Sequence, residues 1–234
     1  MDLSFWNNVN LGVEKQETAK QFYGRFLWRL VIRADGGRLI ETPGSIAVAL
    51  AHKKSLRATN WWGNHRGINY EAVDISLLEN IREIKSTYGN KIRIRIEDPQ
   101  IQFYTEDEAT LIEIAKQLVP STCIEKVCGP ADAAQEQLLR NGVIIRKLET
   151  DYKYKVVLKD GRYSITIKEQ ILNYLNNLGD EVKVSKGSKK MLDSKYSHIW
   201  GVFFYTNDPS LVTFITLIEP TIVAKIHELV QVSK

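Results

Sequence analysis

The chain has 234 residues, 44% of them hydrophobic and 26% charged, with a formal net charge of +4. That balance suits a globular protein with a sizeable core and excludes a wholly disordered, collagenous or disulfide-stapled chain. No apolar run approaches the roughly 20 residues that span a bilayer, and the opening MDLSFWNNVN lacks a signal-peptide pattern, so we expect a cytoplasmic, non-secreted protein with no membrane contact.

In chain order, period-2 alternation predicts a first strand at about 25–33, where Phe26, Trp28, Leu30 and Ile32 alternate with Leu27, Arg29, Val31 and Arg33. The apolar run Ile46–Leu50 is read as an additional strand. Leu77, Ile81, Ile84 and Tyr88, spaced i, i+4, i+7 and i+11, predict a helix at about 75–88. Strands at about 91–96 and 100–104 and a helix at about 107–119 follow. A short helix at about 131–140 comes after the Gly129-Pro130 break. Beyond it lie a strand at about 152–159, a helix at about 167–178, strands at about 180–184 and 200–205, and a helical pattern at about 209–230. Pro220 falls inside that last pattern and implies a kink or two successive helices.

The same elements recur. Phe103-Tyr104-Thr105-Glu106-Asp107 returns as Phe204-Tyr205-Thr206-Asn207-Asp208, an offset of 101. The helical spacing before Gly89 returns before Gly179 as Ile167, Ile171, Tyr174 and Leu178, an offset of 90. Alternation in the first strand returns in Tyr152, Tyr154, Val156 and Leu158, an offset of 126, and both runs end at Asp-Gly: Asp35-Gly36-Gly37-Arg38 and Asp160-Gly161-Arg162. We therefore expect an α+β fold built by tandem duplication of a β-α-β-β-α unit about a pseudo-twofold axis, with copies at 1–128 and 129–234.

Changes in offset place 34 extra residues between Arg38 and Leu77 in the first copy, and 11 between Val184 and Gly201 in the second. Both insertions are basic. Thr42 to Tyr70 has no acid against Lys53, Lys54, Arg57 and Arg66, while Val182 to Trp200 has five lysines against Asp193 alone. The first insertion (about 39–73) also carries Trp61 and Trp62 beside His65 in a Gly-flanked loop. The second (about 185–199) is read as a flexible lysine-rich loop with Lys186, Lys189, Lys190, Lys195 and Tyr196. Cations for phosphates and flat rings for unpaired bases are what single-stranded nucleic acid requires.

The expected function is non-catalytic binding of RNA or single-stranded DNA. Lys53, Lys54, Arg57, Arg66, Lys186, Lys189, Lys190 and Lys195 would meet phosphates, and Trp61, Trp62 and Tyr196 would stack. The alternative is an assembly protein that uses Trp61 and Trp62 to bind a protein partner or itself. A third reading gives Asp35 and Asp160 to a two-metal nuclease, although Asp-Gly is also a common hairpin turn. His52, His65, His198 and His227 have no ligand spacing, Cys123 and Cys128 lack a second pair, and no nucleotide-binding glycine loop or nucleophile elbow is present, so no metal, cofactor or catalytic residue is assigned. The repeated Phe-Tyr-Thr motifs are read as strand ends whose Asp107 and Asp208 cap the next helix.

Overall fold

The computed structural model describes residues 3–9, 12–59, 70–118, 123–146 and 151–231. It is a mixed α+β protein with eight α-helices among those residues, and it divides into two compact units, Met1–Arg140 and Asn141–Lys234. The helix that ends at Arg140 is tied to the first unit, where Arg140 donates to the Glu106 carbonyl at 3.4 Å and its own carbonyl accepts from Gln21 Nε2 at 3.4 Å.

The N-terminal unit runs α1 (Leu3–Val9), β1 (Glu14–Glu17), β2 (Trp28–Arg33), α2 (Ile46–Thr59), α3 (Ile75–Tyr88), β3 (Arg93–Glu97), β4 (Gln100–Thr105), α4 (Glu108–Gln117), β5 (Ile124–Gly129) and α5 (Ala133–Arg140). Its sheet has the order β1-β5-β2-β4-β3 and is antiparallel except for the parallel pair β1·β5. The last four strands with α3 and α4 form a split β-α-β arrangement. Leu30, Ile32, Ile101 and Phe103 of the sheet are buried, as are Ile81 and Ile84 of α3 and Leu111 and Ile114 of α4. Gly129 makes a close approach possible, because a Cβ there would meet Trp28 Cζ3 at 2.0 Å.

The C-terminal unit runs β6 (Ile144–Arg146), β7 (Tyr154–Leu158), β8 (Gly161–Arg162), α6 (Ile165–Asn177), β9 (Val182–Val184), α7 (Lys186–Asp193), β10 (His198–Ile199), β11 (Phe203–Thr206), α8 (Val212–Ile218) and β12 (Val223–Gln231). Its main sheet has the order β6-β12-β7-β11-β9, antiparallel except for β12·β6, and β8 pairs with β10 separately. Val156, Leu158, Val182 and Phe204 pack against Ile171, Leu175 and Ile215 in one core cluster.

Both predicted motif caps form. Asp107 Oδ1 accepts from Thr110 N at 2.7 Å and Asp208 Oδ1 from Ser210 N at 2.8 Å, with Pro209 opening the second helical turn. The Ser210 hydrogen bonds hold the Asp208 carboxyl below its ordinary pKa.

Four expectations are corrected. Ile46–Leu50 is helix, not strand: Ile46 and Leu50 are buried one turn apart while Val48 is 70% exposed, and the intervening alanines are the best helix formers. The pattern at 209–230 is not helix throughout. A 3-10 turn and α8 end by Ile218, Pro220 has no N–H to continue them, and the chain returns as strand β12. Neither Asp-Gly joins two paired strands: Gly36, at φ +72°, leads into a 3-10 turn at Gly37–Glu41, and Gly161 enters β8, whose partner is β10. The lysine-rich segment is the helix α7, capped by Ser185, whose hydroxyl accepts from Ser188 N at 3.0 Å.

Candidate nucleic-acid interface

The first insertion is anchored from one side chain. Arg82 of α3 donates to the carbonyls of Leu39, Ile40, Thr42 and Gly44 at 3.2, 3.3, 3.1 and 2.8 Å. A planar five-donor guanidinium suits that task as an ammonium does not. The segment then enters α2, which carries His52, Lys53 and Lys54. His52 is exposed and Lys53 half-buried, while Lys54 is ion-paired to Glu71 at 2.8 Å. Lys54 is thus less available to a phosphate than its sequence position suggests. The Arg57 side chain, Trp61, Trp62, His65 and Arg66 lie outside the described residues.

The second insertion is described completely. On α7, Ser188 and Leu192 point into the core, and Lys186, Lys189 and Lys190 are exposed on the rest of the helix. Helical spacing explains the split, since residues four apart share a face. Lys168 of α6, buried completely, donates to the carbonyl and hydroxyl oxygens of Ser194 and so fastens the C-terminal end of α7. A cation at that end also complements the helix dipole. The chain leaving α7 exposes Lys195, Tyr196 (75%), His198 and Trp200 (55%), with the His198 and Trp200 rings 5.9 Å apart. Gly201, at φ +62°, donates to Asp160 Oδ1 at 2.8 Å, which holds the bend after Trp200.

Residues 186–200 therefore form one continuous stretch with four exposed lysines, two strongly exposed aromatic rings and one carboxylate, Asp193. Sequence reasoning missed Trp200 and His198. The bend at Gly201 was the available signal, because it lets Trp200 face outward two residues before a buried Val202.

The strand arginines of the N-terminal unit are largely engaged within it. β4 separates β2 from β3, so Arg29 and Arg93 flank Tyr104 in register rather than each other. Arg29 donates to Cys128 Sγ at 3.1 Å, Arg33 lies 3.8 Å from Glu125, and Arg95 pairs with Glu97. Arg25 pairs with Glu106.

Asp160 serves the bend just described. On the N-terminal side, the Gly37 N–H is held at 2.6 Å by Asp98, whose carboxyl burial pushes up. Both cysteines are free; burial pushes the Cys123 thiol up to about 11. Among the described residues, no group of three or more His, Cys, Asp and Glu is arranged to hold a metal ion, and no helix is long and apolar enough to cross a membrane. Compared with protein families, curated proteins and solved structures, the chain gives no match.

Proposed function

We propose that this protein binds nucleic acid, RNA or single-stranded DNA, without catalysing a reaction on it. The observation that carries this reading is the 186–200 surface, where exposed Lys186, Lys189, Lys190 and Lys195 accompany Tyr196 and Trp200. Phosphates are met by the ammonium groups and unpaired bases by the rings, whereas a duplex would leave the rings without exposed base faces. The α7 helix and its buried Lys168 anchor present the lysines from a folded element, which reduces the ordering cost of binding.

We also read the two units as copies of one β-α-β-β-α-β unit with an extra parallel strand. Their sheets have the same order and the same parallel pair. The helices α3 and α6 both start at a side-chain cap, Asp74 and Ser164, and both are followed by a positive-φ glycine, Gly89 and Gly179. On this reading α2 and α7 lie in the two insertions.

The test is a fluorescence-anisotropy titration of labelled single-stranded RNA, single-stranded DNA and duplex DNA at low and high salt. Lys189→Ala with Lys190→Ala is measured alongside. Single strands should bind more tightly than duplex, with an affinity that falls with salt and falls again in the variant. Equal affinity for duplex and single strands, or no effect of the lysine pair, rejects the reading.

A further inference from the structure

We propose that the face of the C-terminal sheet opposite α6 and α8 is a stacking platform for single-stranded RNA, with Phe203 and Tyr205 carrying the bases. The inference rests on the nucleic-acid reading above and adds a second surface to it.

Side-chain alternation defines the face. Val156, Leu158 and Phe204 join the core with α6 and α8, so Lys155, Val157, Phe203 and Tyr205 point to the opposite side. In register, Tyr205 lies between Lys155 on β7 and Lys183 on β9, and Phe203 lies opposite Val157. Lys155 Nζ is 3.9 Å from the Phe203 ring centroid, and the Arg146 guanidinium is 5.7 Å from that of Tyr205. The two rings are 5.5 Å apart at 75°, and Tyr152 stands 6.4 Å from Tyr205. Lys225 and His227 continue the face on β12. Phe203 and Tyr205 both remain half-exposed, and none of the described strand residues that the register puts on this face is a carboxylate.

The N-terminal sheet shows what such a cradle accepts. There Tyr104 holds the same place, between Arg29 and Arg93. The chain folds its own turn over it: Phe22 and Phe26 pair, and Tyr23 and Gly24 take φ of +54° and +69° between them. The Phe22 and Tyr23 centroids lie 5.3 and 5.0 Å from Tyr104, while Arg29 sits 5.0 Å from the Phe22 ring and Arg93 3.8 Å from the Tyr23 ring. Incoming rings are thus gripped between a tyrosine and two flanking cations, leaving Tyr104 only 2% exposed. Nucleobases supply the same flat faces, and their phosphates match the surplus of cations.

RNA is favoured over DNA by donor chemistry. Lysine and arginine offer donors only, and each ribose adds a 2′-hydroxyl that can accept beside the stacked base. Unpaired bases are also what folded RNA exposes in loops and ends.

The probe is an oligouridylate of about ten nucleotides carrying 5-iodouridine, read by anisotropy and by photocrosslinking with peptide mapping. The full chain is compared with Phe203→Leu/Tyr205→Leu and with Lys189→Ala/Lys190→Ala, each checked by thermal melting. Crosslinks on Phe203 or Tyr205 are expected, with affinity roughly ten- to a hundred-fold weaker per ring removed. If the leucine variant melts early, the crosslink map of the unchanged chain decides. Crosslinks confined to residues 186–200 overturn the platform and leave nucleic-acid binding standing. A deoxythymidylate of equal length bound as tightly overturns the assignment to RNA, and no binding of any oligonucleotide at low salt overturns both readings.

Discussion

Replacing Lys189 and Lys190 together by glutamine should flatten the salt dependence of binding by a calculable amount. Lys186, Lys189, Lys190 and Lys195 are all exposed, and each phosphate neutralised on a single strand contributes about 0.7 to the slope of log K against log[salt]. Four such contacts give a slope of about −2.8, and losing two brings it to about −1.4. Between roughly 50 and 200 mM salt, these contacts alone cost the unchanged chain about 50-fold in affinity and the variant about 7-fold. Cations elsewhere, such as Lys155 and Lys183, steepen both slopes equally and leave the difference of about 1.4 intact. Glutamine is close to lysine in helix propensity, so α7 should persist and the thermal melt should not move. The assay is anisotropy with labelled single-stranded RNA across a salt series. Equal slopes in the two proteins would falsify the assignment of these lysines to phosphates, even if the variant bound more weakly.

Other consequences follow from the anchoring groups. Lys168→Ala removes a completely buried side chain and the donor to Ser194; it should cost about 2–4 kcal/mol, read as an early melt, and an unchanged melting temperature refutes the anchor. Arg82→Lys keeps the charge but cannot span four carbonyls; protease cleavage within residues 39–44 should accelerate, and equal cleavage rates count against the staple. With the Cys123 pKa raised from 9.0 to about 11, the unfolded thiol ionises first. Its contribution to stability is therefore full below about pH 9 and is lost as pH rises towards 11. Melting curves of the unchanged chain and Cys123→Ser should diverge across that window, and parallel curves refute the assignment.

Local periodicity carried the elements whose own sequence decides their state. α3, α6 and β11 were legible because burial recurs within each with the period of its backbone, whereas β2 and β4, buried along nearly their whole length, were legible only from the alternation of residue type. β1 was not: Glu14-Lys15-Gln16-Glu17 is exposed at every position and becomes a strand only by pairing with β5. β12 misled for the opposite reason. Ile215, Ile218, Ile222, Ile226 and Leu229 recur every three or four residues as a helix face would, yet the chain after Pro220 is claimed by hydrogen bonds to β7 and β6 on its two sides. Propensity is a weak prior when two strands are already waiting. The charge excess at 182–200 was visible by counting, but its helical form depended on the Ser185 cap and on the burial of Ser188 and Leu192.

The Phe203 and Tyr205 face was half legible. Their alternation with Phe204 could be read directly, but which side meets the helices is a tertiary fact that period 2 alone leaves undetermined. The contrast with Tyr104 lies further out of reach, because the rings that cover it come from Phe22 and Tyr23, about eighty positions earlier in the chain. On the proposal that the two units are copies, the same aromatic-and-cation layout is exposed twice, and faces of that kind invite association through their rings. Folding Phe22–Phe26 back over one of them satisfies Arg29 and Arg93 internally and removes that hazard, while the other face keeps Tyr205 half-exposed between Lys155 and Lys183. Under that proposal the two copies need differ by only one short aromatic turn, and the mild backbone strain of Tyr23 at φ +54° is the local cost of closing it.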